Sequence, residues 1–173
     1  MVEDRSTAMN IQIRLATSSD LGALVEIYNQ AILAGNCTAD TQTFSVDERR
    51  GWFEAHTADK YPILVAVQNN QVLGYLSLSA YREGRAAFAQ TAEISYYIHF
   101  QHQRHGVASK LMQRALVLSP ELGITTLIAM LLGSNSGSIG LLEKFGFKQW
   151  GKMPGIAKFD KVRLDHLFYG KHL

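Results

Sequence analysis

Apolar residues fall at every second position in Ile11, Ile13 and Leu15, and this period of two predicts a short strand with one buried face. The period then lengthens. Leu21, Leu24, Val25, Ile27, Tyr28, Ala31 and Ile32 share one broad face of a helix running to about Leu33, with Ser18-Ser19-Asp20 offering caps at its start. Residues 34–45 have no period and read as a loop, and Val46 to His56 reads as a second helix. The runs Ile63 to Val67 and Val72 to Ala80 flank Asn69-Asn70, which predicts an antiparallel hairpin. Thr91 to Phe100 is the next strand, Val107 to Leu116 a helix, and Ile124 to Leu131 another strand. A helix starts after Asn135 and stops at Gly146, and Phe159 to Tyr169 alternates enough for a last strand. There is no repeat, low-complexity tract or linker. The order predicts one mixed α/β domain over residues 10–173. Residues 1–9 are polar and read as a disordered extension, with Met9 as an alternative start.

The junction between the fourth predicted strand and the following helix carries the most chemical information. It reads Gln103-Arg104-His105-Gly106-Val107-Ala108. A glycine-containing turn there leaves backbone N–H groups unpaired at the positive end of the helix dipole, a seat for phosphate or pyrophosphate. Gly106 and the small Ala108 let a ligand approach the backbone closely. The chain contains no Gly-x-x-x-x-Gly-Lys-Ser/Thr and no Gly-x-Gly-x-x-Gly, so nucleotide hydrolysis and a dinucleotide fold lose support. A glycine at such a turn is also common without any ligand. A second segment, Asn135-Ser136-Gly137-Ser138-Ile139-Gly140-Leu141-Leu142-Glu143-Lys144-Phe145-Gly146-Phe147, taken alone is a capped amphipathic helix.

Together, in this order and at this separation, the two segments resemble the signatures of the GNAT superfamily of acyl-CoA-dependent N-acetyltransferases. The first resembles its pyrophosphate loop, Gln/Arg-x-x-Gly-x-Gly/Ala. The second resembles its Asn-x-x-Ser/Ala-x-x-Leu-x-x-x-x-Gly-Phe helix, whose Asn meets the pantetheine arm or bound water. Residues 27–32, 48–53, 61–66 and 91–98 are similar to the phosphinothricin N-acetyltransferase group, which includes enzymes acting on methionine sulfoximine and methionine sulfone. The resemblance spans roughly residues 10–169. It implies the GNAT fold, a central mixed and mostly antiparallel sheet flanked by helices. It implies acetyl-CoA as co-substrate, a small amino acid or analogue as acceptor, and a homodimer.

Composition narrows the partners. A 47% hydrophobic and 18% charged chain of 173 residues is ordinary for one globular domain with a sizeable core. A net charge of +2, with scattered basic residues, does not suggest a nucleic-acid surface. Cys37 is the sole cysteine, so no intrachain disulfide forms and a reducing compartment fits. No apolar run approaches a membrane span of about 18 residues, and the N-terminus is unlike a secretory signal; the expectation is a cytoplasmic protein without membrane contact. His99, His102 and His105 cluster around the loop, where solvation or proximity to CoA phosphates is expected rather than a metal.

Moving an acetyl group from a thioester to an amine needs a base, an oxyanion donor and a route for the leaving thiolate. Glu93 stands in a strand otherwise poor in charge; alone it could be a solvent-facing glutamate, but its Glu-x-Ser-x-Tyr context matches the group's base. The resemblance points to main-chain N–H groups near Tyr97 or Ile98 for the oxyanion, and to Gln103, Arg104, His105, Gly106, Val107, Ala108, Ser109 and Asn135 for the cofactor. Where related enzymes carry Tyr or His as an acid, this chain has Leu142, leaving the acid to Tyr97 or to solvent. The segment Tyr81-Arg82-Glu83-Gly84-Arg85-Ala86-Ala87-Phe88 is similar to an Arg-x-Ala-Tyr substrate segment, so Arg85 and Phe88, and less so Arg82, are expected to read the acceptor; a solvated basic loop is the alternative. Ala39 stands where the group often has Phe, which would widen the pocket. Two rival functions remain: acetylation of a polyamine, an antibiotic or a protein N-terminus, and a degenerate fold that only binds acyl-CoA.

Overall fold

The computed structural model describes residues 10–173; the expected disorder at 1–9 lies outside the described residues. Seven strands form one sheet in the order β1 (Gln12–Leu15), β2 (Ile63–Gln68), β3 (Gln71–Ala80), β4 (Thr91–Ile98), β5 (Thr126–Leu132), β7 (Val162–His172), β6 (Lys148–Phe159). Every adjacent pair is antiparallel except β4 and β5. A parallel pair needs a crossover, and α3 (Val107–Glu121) supplies it. The remaining helices are α1 (Leu21–Ala34), α2 (Val46–Glu54) and α4 (Ser136–Lys144).

The period of two sorts the strand side chains onto two cores. Leu64, Leu76, Leu78, Ala92 and Ile94 meet Leu111 and Met112 of α3 and Leu142 of α4 on one face. Ile63, Val65 and Tyr75 meet Leu24, Ile27 and Tyr28 of α1 on the other. Burying each large apolar side chain contributes about 1.5–3 kcal/mol, so the two faces together clamp the sheet between the helices. The Asn69-Asn70 turn has φ of 48° and 63°, the left-handed pair that a two-residue hairpin loop requires.

Two expectations need correction. The last strand does not begin at Phe159: that residue ends β6, and β7 starts at Val162 after a turn with Asp160 at φ 51°. β6 itself went unread. It lies at the sheet edge, is mostly exposed, contains Gly151, Pro154 and Gly155, and is bulged twice against β7. Pro and Gly are tolerated there because an edge strand has one unpaired side. Bounds also shift: α3 runs on to Glu121 through Pro120, and α2 stops at Glu54.

The entry to α1 is pinned by charge. Residues Ser18–Asp20 form a single 3-10 turn, and the Asp20 carboxylate accepts from the Thr17 N–H at 2.7 Å. The same carboxylate takes both ends of the Arg14 guanidinium, at 2.7 and 2.9 Å. Asp20 is buried, and the Arg14 bond holds its carboxyl below the usual range. A depressed carboxyl pKa stabilises the fold above the unfolded-state value of about 3.9, and that stability is lost as pH falls through the folded-state value. Asp20→Asn is therefore expected to lower stability at pH 7 by about 1.5–3 kcal/mol, with the gap from wild type closing in urea melts at pH 3. Equal stability at pH 7 would contradict this role.

Candidate functional site

The β4–β5 ladder is short. Pairing covers Thr91↔Thr126, Ala92↔Leu127 and Glu93↔Ile128, and then the strands part. β4 stays on β3 through Gly74↔Ile98, while β5 stays on β7 through Leu132↔His166. Gly74 permits this path: a Cβ there would sit 2.6 Å from Ile98 Cδ1 and 2.9 Å from the Tyr97 carbonyl oxygen. Opposite Gly74, β2 carries a bulge between Ala66 and Val67, which adds twist to this half of the sheet.

Backbone polarity follows from the antiparallel alternation. The His99 N–H donates to Leu73 and the Tyr81 N–H to Thr91, which fixes Tyr97 and Ser95 as residues bonded to β3. Main-chain groups of Tyr96 and Ile98 therefore face the parting, where β5 no longer offers partners. Of the two positions expected to supply a free N–H, the geometry turns Ile98 toward the opening and Tyr97 toward Tyr75.

A cleft of about 690 Å³ fills the parting. Its walls include Tyr96 and Ile98 of β4, Met130 of β5 and Asn135 at the head of α4. Its mouth is the loop before α3, with Gln103, Arg104, Gly106 and residues 107–109 on the wall. Gly106 sits in the left-handed region at φ 79° and no side chain caps the helix, so the first N–H groups of α3 stay free for an anion. Asn135 Oδ1 accepts from the Ser138 N–H at 3.1 Å, which leaves its amide N–H₂ as the available donor. His105 is exposed and does not line the cleft.

A second cavity of about 360 Å³ lies on the α1–α2 face. Glu93, Ser95 and Tyr97 alternate onto this face of β4 and line it together with Tyr75, Ser77 and Ser79 of β3. Cys37, Ser95, Tyr97, Met130 and Leu131 line both cavities, so the two meet at the parting. Burial pushes the Glu93 carboxyl above the ordinary glutamate range, and the Ser95 hydroxyl at 3.5 Å draws it partly back. Burial also raises the Tyr97 hydroxyl well above its usual value, so it holds its proton at neutral pH. The loop of residues 34–45 closes the far side. Asn29 ties it down through Phe44, donating at 2.8 Å and accepting at 2.9 Å, and the Tyr28 hydroxyl bonds Thr38 and Asp40.

Not all expected residues gather here. Arg82, Arg85 and Phe88 are exposed on the β3–β4 connection and line neither cavity; Phe88 packs edge-on against Tyr81, with centroids 5.6 Å apart. Leu142 does reach the wall of the first cleft, but it is buried against the α3–α4 core and has no proton to give. Ala39 does line the second cavity. His99 stacks on Phe100, and among the described residues no group of three His, Cys, Asp or Glu side chains is arranged to hold a metal ion. No helix of the described residues is long and apolar enough to cross a membrane. Sequence reading missed Arg49, Trp52, Tyr75 and His166 as wall residues. The first two lie on one face of α2 three residues apart, a spacing that reads as ordinary helix packing.

Comparison with known proteins agrees with this geometry. The profile described as acetyltransferase (GNAT) domain matches residues 10–148. A Bacillus subtilis protein named as a candidate phosphinothricin acetyltransferase, YwnH, is 41% identical over 162 residues, covering 93% of this chain and 98% of its own. The L-methionine sulfoximine/L-methionine sulfone acetyltransferase of Salmonella typhimurium is 34% identical, covering 84% of each chain. A phosphinothricin acetyltransferase of Sinorhizobium meliloti, solved with acetyl-CoA, superposes with a TM-score of 0.89 at 29% identity, covering 95% of this chain and 89% of its own.

A raised carboxyl pKa has a consequence for stability. The folded chain holds the Glu93 proton more tightly than the unfolded chain, so rising pH costs stability between the unfolded value of about 4.3 and the folded one. Glu93→Gln removes the half-buried charge and is expected to raise the melting temperature at pH 7 but not at pH 4. A lower melting temperature at pH 7 would show that the carboxylate is stabilised where it sits.

Proposed function

The chain belongs to the acetyltransferase (GNAT) domain family, and from that premise we propose that it transfers the acetyl group of acetyl-CoA to the amino group of a small amino acid or analogue, of the methionine sulfone, methionine sulfoximine or phosphinothricin type. One observation carries this reading: two cavities, one floored by a free helix N-terminus and one holding a half-buried carboxylate, meet where β4 and β5 separate.

Acetyl-CoA, when bound, supplies the activated acetyl group. Free N–H groups at the start of α3, with Gln103 and Arg104, would hold its pyrophosphate. Residues 105, 107, 108 and 109 belong to the same proposed loop, His105 from its exposed outer side. Tyr96 and Ile98 main-chain groups and the Asn135 amide would receive the pantetheine arm as an extra strand. The Ile98 N–H, turned toward the parting, would be the donor to the thioester carbonyl as it gains charge. Glu93 would take the proton of the acceptor ammonium; its raised pKa brings it nearer the operating pH of a general base. Tyr97 lines both cavities and keeps its proton, so it would hydrogen-bond the departing thiolate, while solvent would supply the proton that Leu142 cannot. A homodimer in the cytoplasm completes the proposal. The exposed apolar side chains Trp150, Met153, Ile156 and Val162 on the β6–β7 hairpin support a second copy. Arg82, Arg85 and Phe88, which line neither cavity of their own chain, would take part in acceptor binding through such an assembly.

The reading is tested by thiol release from acetyl-CoA against a panel of amino acids, methionine sulfone, methionine sulfoximine, phosphinothricin and polyamines. Turnover is expected with amino acids and their analogues and not with polyamines. Glu93→Gln should keep acetyl-CoA affinity and lose about a hundred- to ten-thousand-fold in turnover, recovering in part at high pH where more amine is already neutral. Wild-type turnover by that variant at pH 7 would remove Glu93 from the chemistry.

A further inference from the structure

Arg49 has the geometry of a ligand receptor rather than of a structural ion pair. It projects from α2 into the cavity that holds Glu93. Its guanidinium lies 4.1 Å from the Trp52 ring centroid, 4.7 Å from Tyr28 and 5.4 Å from Phe44. Three aromatic faces hold the guanidinium by cation–π attraction; one donor lies near the Tyr75 hydroxyl, and the rest of its planar edge has no carboxylate partner. The neighbouring carboxylates are engaged elsewhere. Glu48 closes the α2 capping box on Ser45 at 2.7 and 2.8 Å, Asp47 pairs with Arg50 at 3.0 Å, and Asp40 takes the Tyr28 hydroxyl. Among the described residues no carboxylate lies within ion-pair distance of Arg49.

Resting on the acetyl-transfer reading above, we infer that Arg49 binds the α-carboxylate of the acceptor, so that the substrate class is the free α-amino acid zwitterion. The cavity is bipolar: a fixed cation stands on the α2 side and the Glu93 carboxylate on the β4 side next to the parting. An α-amino acid is bipolar in the matching sense. With its carboxylate on Arg49, its ammonium is directed to Glu93 and the junction with the cofactor cleft. Guanidinium suits this task because its paired N–H groups match a carboxylate bidentately, and aromatic stacking preorganises it. A polyamine or the N-terminus of a protein brings no carboxylate one carbon from the amine. Such an acceptor would leave Arg49 unpaired and set a cation against it, so the same residue excludes these classes.

The experiment compares L-methionine sulfone with its primary carboxamide, which keeps the amine and side chain and loses only the charge. Wild type is expected to favour the carboxylate in kcat/KM by about ten- to a hundredfold, the worth of one charged hydrogen-bonded pair. In Arg49→Met that preference should collapse, through a raised KM for the sulfone, while the KM for acetyl-CoA stays put. Arg49→Lys should recover part of it, because an ammonium keeps the charge without the fork. Equal kcat/KM for both acceptors on wild type overturns the inference without any variant. So does an equal loss on both acceptors in Arg49→Met, which would make Arg49 a brace for the aromatic cluster. If wild type acetylates polyamines and no amino acid, the proposed function itself falls, a result distinct from either of these.

Discussion

The parting of β4 from β5 after Glu93↔Ile128 is the constraint on which the rest depends. A parallel ladder carried to the end of both strands would satisfy the backbone and close the sheet. Here each strand keeps its outer neighbour and abandons the inner one. Gly74 and the β2 bulge let β4 follow β3 away, while β7 holds β5 along its full length. Unpaired main-chain groups in a protein interior are costly, so a strand edge left open beside a cavity is itself a binding surface. The family to which the chain belongs uses acetyl-CoA, and in the proposed function its extended pantetheine arm would take the place of the missing strand.

Two consequences follow for the chemistry. The opening passes through the sheet, so a ligand on the α3–α4 face and one on the α1–α2 face reach the same few residues, Cys37, Ser95, Tyr97, Met130 and Leu131. The site is also built from buried or half-buried ionisable groups, whose protonation follows from low polarity. Burial raises Glu93 toward a basicity useful near neutral pH and keeps Tyr97 protonated. It also lowers His56, whose Nε2 lies 3.1 Å from the Ser79 hydroxyl, directly across the ladder from Glu93. Ser79 thus lines the cavity beside the carboxylate, backed by a neutral His56 that adds no charge.

Local chemistry was legible in the sequence. Gly106 and Asn135 announce themselves because a left-handed turn and a helix cap are properties of a few consecutive residues. The hairpin turn at Asn69-Asn70 was readable for the same reason. Long-range arrangements were not. β6 escaped because an edge strand with Pro154 and two glycines has no buried face to impose a period. Arg49 escaped because its meaning lies in what surrounds it, three aromatic rings drawn from α1, α2 and the loop between them. Arg85, conversely, looked like a ligand by its neighbours in sequence and stands exposed outside both cavities of the single chain. The splay itself has no local signature, since residues 94–98 alternate as any strand does.

The central claim is that the two cavities converge on one reacting centre. The most direct measurement uses a conjugate in which the CoA sulfur is joined through a two-carbon acetyl bridge to the amino nitrogen of methionine sulfone. If the cavities meet at the β4–β5 parting, the conjugate occupies both at once. It should inhibit competitively against acetyl-CoA and against the amino acid, and bind more tightly than CoA alone. Inhibition competitive only against acetyl-CoA, with no gain in affinity over CoA, would contradict the account.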